Sequence, residues 1–242
     1  MSDLNGVRIK IARANLHLAE LKERLDDWRG AEPYPIIVEI EPNTRDQLWK
    51  VGADPLPPPN LPVIGDMLFN LRSALDHLAW QLILKAKGTP SSRTEFPIFN
   101  DPDKWRRDSP RKMAGMNDAM KNRIEALQPC FSKHIYNNAA LWGLQEYGNT
   151  DKHRTLLIVP VSTQDMLWEP GGNPSYFHKG PVEKETILAK FPEGEYQSRF
   201  QAVPSIAFSD PPSADEDVHH TLYYMHLLVD KITNDFEAAF FP

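Results

Sequence analysis

The sequence predicts a mainly α-helical protein of the α+β class: a helical bundle with a small antiparallel β-element, in one domain spanning residues 1–242. Two observations predict this fold. Several long segments carry apolar residues at helical spacing. Shorter β-like runs lie in a hairpin at about 34–51 and in a β/helix section at about 156–242.

The first predicted helix has a regular apolar seam and ends near Gly30. Asp3 or Ser2 can cap its start, and Gly30 with Pro33 stops it. The seam residues recur at alternating steps of four and three, as in a coiled coil: Val7, Ile11, Ala14, Leu18, Leu21, Leu25 and Trp28. A seam this narrow packs against one other helix, so we expect an antiparallel pairing with the second helix.

A hairpin is predicted next, from residues 34–41 and 47–51. The first run is apolar and β-branched, and residues 42–46 between the two runs favour a turn. Residues 55–62 (PLPPPNLP) must be extended because proline disfavours a helix. We interpret them as a stiff connector in preference to a docking peptide.

The second helix, residues 63–87, is predicted to lie at the centre of the molecule. Its apolar face lies within about 40° of one line at about 100° per residue and consists of Ile64, Leu68, Leu71, Leu75, Leu78 and Leu82. The opposite side is a polar line of Asp66, Asn70, Ser73 and His77. Apolar residues flank that line, namely Phe69, Trp80 and Ile83. We therefore expect a helix buried nearly all round, with the polar line at an internal cleft or subunit interface. A solvated back face is the alternative.

The middle of the chain is predicted to be irregular from 88 to 110, with residues 95–99 (EFPIF) extended. A short amphipathic helix follows, with Ala119, Met120, Ile124 and Leu127 on one face. Residues 138–154 form another predicted helix, on which a stripe at helical spacing joins Trp142, Glu146, Asn149 and His153. Residues 156–161 then favour a strand.

The C-terminal third combines short strands with a last helix. A loop at 169–174 precedes β-like runs at 186–191, 196–202 and 205–208. The last helix, at about 214–240, has one apolar face, formed by Val218, Leu222, Met225, Val229, Ile232, Phe236 and Phe240. Two histidines on another line of this helix, His219 and His226, are interpreted as exposed residues in preference to metal ligands.

Composition and charge exclude several classes of function. The single cysteine, Cys130, rules out an internal disulfide framework and indicates a reducing cytosol. Residues 1–13 do not resemble a signal peptide, and no apolar run approaches the ~20 residues that span a bilayer. The net charge of −6 argues against a broad basic face for duplex DNA. We therefore expect a cytoplasmic protein that binds neither membranes nor duplex DNA.

Two polar strings are the first candidates for a site, since polar groups within apolar helical segments are costly unless paired. Residues 70–77 (NLRSALDH) supply Asn70, Arg72, Asp76 and His77, and Arg72 can pair with Asp76 four residues on. Residues 149–154 (NTDKHR) supply a second cluster: Asn149, Asp151, Lys152, His153 and Arg154. If the strings serve one function, His77 and His153 should face a common cleft, within ~10 Å across packed helices.

A basic cluster lies in the segment predicted to be irregular. It places five cations in nine positions: Lys104, Arg106, Arg107, Arg111 and Lys112. Such a cluster can hold RNA phosphates, and a solvated loop is the alternative.

The order of helix, hairpin, proline stretch, NLRSALDHL, EFPIF and NTDKHR resembles an uncharacterised family of bacterial proteins over most of the first 160 residues. Arg72 and His77 also match the R-x4-H spacing of the HEPN superfamily. Its members are helical bundles, and many are dimeric, metal-independent ribonucleases of toxin–antitoxin and antiphage systems. The resemblance implies catalytic roles for Arg72 and His77, no metal or other cofactor, and a homodimer formed through helices.

The chemistry of this ribonuclease hypothesis is coherent. Histidine can transfer the proton of the RNA 2′-hydroxyl, and the forked donors of arginine match phosphate oxygens. His77 would then act on the proton, Arg72 on the phosphate, and Asn70 with Asp76 on orientation.

Two other hypotheses remain open. In the first, the protein is a non-catalytic helical interaction or regulatory protein, with a partner encoded in the same operon, and the polar strings only satisfy helix ends. In the second, it is a metal-dependent hydrolase whose ligands come from two facing helices: His77, His153, Glu146 and Asp66.

Overall fold

The structure is a computed structural model, and it describes residues 3–59, 61–154, 158–168, 173–196, 200–212 and 216–241. These residues form a mixed α/β fold with small antiparallel sheets. The helices within them are α1 (Asn5–Gly30), α2 (Val63–Lys85), α3 (Pro102–Lys112), α4 (Asp118–Glu125), α5 (Ile135–His153) and α6 (Val218–Phe240). The strands are β1 (Ile36–Ile40), β2 (Gln47–Val51), β3 (Ile158–Trp168), β4 (Tyr176–Phe177), β5 (Gly180–Pro181), β6 (Ile187–Phe191) and β7 (Phe200–Phe208).

The chain divides into two compact units. The first, which is mainly helical, comprises Met1–Leu21, Leu61–Leu156 and His219–Pro242. The second, which holds both sheets, comprises Lys22–Asn60 and Leu157–Val218. The boundary between Leu21 and Lys22 falls within α1. The single domain expected from the sequence stays a prediction.

The first helix agrees closely with the sequence prediction. Every predicted seam residue of α1 is buried. The backbone N–H of Asn5 donates to the Asp3 carboxylate at 3.1 Å, which caps the start of the helix. Ser2, the other predicted cap, lies outside the described residues.

The start of α1 runs antiparallel to α2, as the sequence predicts. The Asp3 N–H donates to Gln81 at 3.1 Å, and the Lys10 ammonium lies 5.3 Å from the ring centroid of Phe69. Near the same end, Arg8 donates to Asp230 of α6 at 2.9 Å and to Asn234 at 2.6 Å. The first segment of the chain is therefore tied to its last helix as well as to α2.

The second helix is buried on its apolar face but not all round. The leucine-rich face of α2 is fully buried, which confirms that part of the prediction. Phe69 and Trp80, which were expected inside, are 61% and 42% exposed, and Asp66 and His77 are also exposed. The expectation of burial all round is wrong because α2 turns this flank towards solvent. Large aromatic side chains are thus available on the surface of α2.

The segment expected to be irregular up to residue 110 contains a helix. The Asp101 side chain accepts hydrogen bonds from the N–H groups of Asp103 at 2.8 Å and Lys104 at 3.3 Å, and Pro102 occupies the first turn. Few residues of α3 are buried, with Trp105 and Ser109 on its inner side. The helix therefore shows little apolar periodicity in the sequence.

The remaining helices match their predictions apart from their ends. Helix α4 buries Met120 and Ile124, and α5 begins three residues earlier than expected. Helix α6 begins at Val218, whereas the predicted start at about residue 214 lies outside the described residues. No helix within the described part of the chain has the length and apolar character needed to cross a membrane.

The second unit contains two antiparallel sheets. The predicted hairpin is confirmed: β1 pairs with β2 from Ile36 opposite Val51 to Ile40 opposite Gln47. The four-stranded sheet has the order β1-β2-β6-β4, and the three-stranded sheet has the order β5-β3-β7. The buried hydroxyl of Tyr34 is 2.7 Å from the carbonyl oxygen of Val161 and 3.1 Å from that of Ser205.

Two strands are longer than the sequence indicated. The separate runs predicted at 196–202 and 205–208 lie in one strand, β7, from residue 200 onwards; Tyr196 precedes the strand, and residues 197–199 are not among the described residues. Strand β3 extends to Trp168, although the beginning of its predicted range also lies outside the described part. The loop predicted at 169–174 is described only from residue 173.

Candidate functional site

A cleft lies between α2 and α5 in the first unit. Its cavity volume is about 160 Å³, and it is partly open to solvent. Its walls come from one face of α2 and from the last turns of α5, where Gly148 leaves room beside the helix. The lining residues are Gly65, Leu68, Phe69, Arg72, Ser73, Asp76, Gly148, Asp151 and Lys152.

The Arg72 side chain is held firmly at the wall of the cleft. Its Nη2 donates to the Asp76 carboxylate at 2.9 Å, as the sequence predicts, and to the Phe96 carbonyl at 2.7 Å. The Phe96 N–H donates to the same Asp76 oxygen at 2.9 Å. This triangle fixes the extended segment 95–99 against α2. Burial raises the pKa of Asp76 above its ordinary value, and the Arg72 charge opposes that rise.

The other end of the guanidinium lacks a partner. The Nη1 atom of Arg72 is buried and makes no hydrogen bond within the described residues. Lys152, on the facing helix, is exposed and forms no ion pair with any of them. A buried donor without an acceptor costs about 1–3 kcal/mol, so Nη1 is a local cost of holding the guanidinium in this triangle.

Asp151 approaches the backbone of α2 at a glycine. A Cβ atom added to Gly65 would clash with the Asp151 carboxylate, so a larger residue at position 65 would displace that side chain. Burial raises the pKa of Asp151, and the nearby negative charge of Asp66 raises it further. The cleft therefore brings two cations and two carboxylates together.

The structure does not bring His77 and Asn70 into this cleft. His77 faces α1: a Cβ atom on Gly6 would lie 3.3 Å from its Nδ1 atom. Asn70 is buried and donates to the Asp66 carbonyl of its own helix at 2.8 Å. Positions 72 and 77 are five residues apart, which separates their side chains by about 140° around a helix. Arg72 and His77 of one chain thus point to different surroundings.

The second polar string is divided in the same way. Asp151 and Lys152 line the cleft, whereas Asn149 and His153 are exposed outside its lining. Arg154 follows the end of α5 and its N–H donates to the Thr150 carbonyl at 2.8 Å. The stripe that includes His153 lies about 120° around the helix from the side that faces α2. The common cleft expected for His77 and His153 is therefore not the one between α2 and α5.

The five basic candidates for RNA binding lie on α3, not on a loop. Arg106 pairs with Asp103 at 2.6 Å and Arg107 with Asp108 at 2.9 Å, both on the exposed side. Lys112 pairs with Glu95, and its ammonium lies 5.7 Å from the ring centroid of Phe99. Lys104 and Arg111 are exposed. Three of the five positive charges are thus neutralised locally.

The metal-ligand candidates are dispersed. Within the part of the chain that the structure describes, no group of three or more His, Cys, Asp or Glu side chains could hold a metal ion. Asp66 and His77 are exposed on α2, and Glu146 and His153 lie on the stripe of α5 that turns away from the cleft. On α6, partial burial lowers the pKa of the His226 imidazole below its ordinary value.

Sequence reasoning missed several residues that shape the site. Gln128 is fully buried; its amide donates to the carbonyls of Pro97 and Ile124, and its oxygen accepts from the Phe99 N–H at 3.0 Å. Gln128 therefore holds Pro97 and Phe99 of the extended segment 95–99, and Asp76 holds Phe96 of the same segment. No sequence pattern marks a lone glutamine after a short helix. Gly65 and Phe69 carried a signal, because a glycine and an exposed aromatic residue stand on one face of a leucine-rich helix.

Comparison of the chain with family models, with curated proteins and with solved structures finds no match. The geometry of the chain's own residues therefore carries the functional argument.

Proposed function

We propose that this protein is a non-catalytic binding protein whose ligand site is the cleft between α2 and α5. The ligand carries a carboxylate or phosphate group that accepts hydrogen bonds from Arg72 and Lys152. The single observation that carries the proposal is that this cleft holds Arg72, oriented by Asp76 and Phe96, together with the exposed Lys152 of the facing helix.

The shape and lining of the cleft support a small ligand with an apolar part. A cavity of about 160 Å³ is smaller than the roughly 300–1,000 Å³ of drug-sized ligand sites, so it suits a compact anionic group with a short apolar part. The exposed ring of Phe69 offers an apolar surface beside the two cations. Asp76 and the Phe96 carbonyl fix the orientation of the guanidinium through its Nη2 atom. Arg72 is thus oriented before the ligand arrives.

Equilibrium binding measured by calorimetry tests the proposal. One arm uses nucleoside monophosphates and the other uses aromatic carboxylates such as phenylacetate, so that the two sources of the anion are distinguished. We expect binding in one arm and a loss of about tenfold or more in affinity for Lys152→Glu, since the variant replaces an attractive charge by a repulsive one.

Lys133→Glu is the matched control, because it makes the same charge change at another exposed position of the first unit. Its affinity should stay close to that of the wild-type protein. No binding in either arm, or equal losses in the two variants, would overturn the proposal.

A second candidate function is the metal-independent ribonuclease that the HEPN resemblance implies. His77 is exposed on the same helix as the oriented Arg72, and this observation favours it. Because the two side chains of one chain point to different surroundings, His77 of one copy would move the proton of the 2′-hydroxyl and Arg72 of a second copy in the expected homodimer would receive the phosphate. In this candidate the helices of the first unit form the bundle expected from the sequence, and the protein acts on cytoplasmic RNA in defence or a toxin–antitoxin pair.

Single-stranded RNA incubated with the protein in EDTA tests this candidate. We expect products with 2′,3′-cyclic phosphate or 3′-phosphate ends, and no cleavage by His77→Ala. His134→Ala removes another exposed histidine and should remain active. An inert wild-type protein would remove the ribonuclease candidate and leave the binding proposal standing.

A further inference from the structure

The first strand of the second unit forms an open edge of its sheet. β1 is terminal in the order β1-β2-β6-β4, and no described strand pairs with its outer side. Its side chains are apolar yet exposed: Val38 is 46% exposed, Ile40 42% and Ile37 39%. Natural edge strands are usually protected by charges, prolines or bulges. The register of β1 with β2 is continuous, and the strand carries a single charge, Glu39.

The hydrogen bonds of the hairpin show which backbone groups face outwards. The Glu41 N–H donates to the Asp46 carbonyl, and the Gly52 N–H donates to the Pro35 carbonyl. In an antiparallel pair, residues that bond to the partner strand alternate with residues that do not. Residues 35, 37, 39 and 41 therefore bond to β2. The N–H and C=O groups of Ile36, Val38 and Ile40 point away from the sheet.

These three residues are arranged symmetrically about Val38. If a second β1 runs antiparallel with Val38 opposite Val38, then Ile36 faces Ile40 of the other copy. Each of the three residues then both donates and accepts a backbone hydrogen bond, so every outward group is satisfied. The apolar side chains meet apolar side chains, as they do in stable cross-strand pairs.

The charges on the strand also fit a second copy. In this register Glu39 lies opposite Ile37, so the two Glu39 carboxylates do not face each other. Each carboxylate is also neutralised within its own chain by Lys50, at 2.6 Å. A second copy of the strand is therefore complementary in hydrogen bonding, in apolar character and in charge.

We propose that two copies of this protein form a symmetric dimer in which β1 pairs antiparallel with β1 of the other copy, centred on Val38. The two four-stranded sheets become one continuous sheet. The inference goes beyond the binding function and does not depend on it. An edge of five residues buries less surface than a standard interface, so the dimer is weak and depends on concentration.

Sedimentation equilibrium of the full chain over a range of concentrations tests the dimer. We expect a reversible monomer–dimer equilibrium in the wild-type protein. Val38→Lys places two like charges directly opposite each other at the symmetry axis, so it should raise the dissociation constant about tenfold or more. Val38→Thr, which keeps the shape and β-propensity of the residue, should leave a measurable dimer. Far-UV circular dichroism confirms that each variant is folded.

A charge-complementation pair makes the register itself testable. Ile40→Lys alone should weaken the dimer, because the lysine meets Ile36 of the other copy. Adding Ile36→Glu in the same chain should restore the affinity, since the two new charges then pair across the interface at both ends. The two positions are too far apart along one strand to pair within the chain.

Three outcomes would overturn the proposal. The first is a protein that stays monomeric at the highest soluble concentration. The second is a dimer that Val38→Lys does not weaken, which would indicate contact elsewhere, such as the helices. The third is a dimer that Ile36→Glu does not restore in the presence of Ile40→Lys, because that result contradicts the register.

Discussion

Replacing Arg72 by methionine isolates the contribution of the triangle formed by Arg72, Asp76 and Phe96. Methionine keeps most of the apolar stem but removes the donors to the Asp76 carboxylate and the Phe96 carbonyl. The Arg72 side chain is 13% exposed and that of Asp76 32%. Charged hydrogen bonds at such sites contribute about 1.5–3 kcal/mol when buried and less when solvent screens them. We expect a loss of about 2–3 kcal/mol in the free energy of unfolding.

The loss should depend on pH in a defined direction. Burial already raises the pKa of Asp76 above its ordinary 3.8, and Arg72 limits that rise. Without Arg72 the pKa rises further, so the folded variant binds a proton more readily than the unfolded chain does. The free energy of unfolding then falls as pH increases through the window above 3.8. The deficit of the variant should therefore be largest at neutral pH and smaller in mild acid.

Urea unfolding followed by circular dichroism measures these effects. A double-mutant cycle with Asp76→Asn should give a coupling energy of about 1–2 kcal/mol for the pair. Arg106→Met is the control, because the Arg106–Asp103 pair has a similar distance, 2.6 Å, on a fully accessible surface. Its effect should be close to zero. Equal losses for the two arginine variants, or an Arg72→Met deficit that does not change with pH, would refute the reasoning.

Three further predictions use the same unfolding measurement. Gln128→Ala should cost about 2–4 kcal/mol, because it leaves the buried carbonyls and N–H that its amide satisfies without partners; a loss below about 1 kcal/mol would contradict this. Tyr34→Phe should cost about 1–2 kcal/mol by removing the hydroxyl between two buried carbonyls, whereas an unchanged midpoint would be against it. Asp151→Asn should stabilise the protein slightly at neutral pH, by less than about 1 kcal/mol because the side chain is exposed. Burial raises the pKa of the Asp151 carboxyl above its ordinary 3.8. The gain should therefore vanish below pH 3.8, because the carboxyl is then protonated and as neutral as asparagine. A gain that persists in acid would contradict the electrostatic explanation.

The long amphipathic helices and the hairpin were predictable because their apolar patterns are strong and local. The seam of α1 and the leucine face of α2 are buried as their spacing indicated. Helix α3 was missed because it buries few side chains and contains Pro110 near its end. Its start did carry a local signal, since Asp101 followed by Pro102 is typical of a helix cap and first turn.

The candidate site was predictable only in part. The pairing of Arg72 with Asp76 follows from their spacing of four on a helix and is confirmed. The joint role of Arg72 and His77 was implied by the R-x4-H spacing that resembles the HEPN superfamily, but five positions along a helix separate the two side chains by about 140°. The place of Gly65 in the site depends on its contact with Asp151, which belongs to a helix far away in the sequence. Such a contact cannot be read from a single periodic pattern.

The bonds from Arg8 to α6 have a consequence for synthesis of the protein. The partners Arg8 and Asp230 are 222 residues apart in the chain. During translation the first helix emerges from the ribosome long before the helix that neutralises Arg8. The leucine face of α2 is also made before α4, α5 and α6 are available. Contacts of such long range form slowly, and the exposed apolar surfaces of incomplete chains are prone to aggregation. The helical unit should therefore complete its folding only after the last helix has left the ribosome.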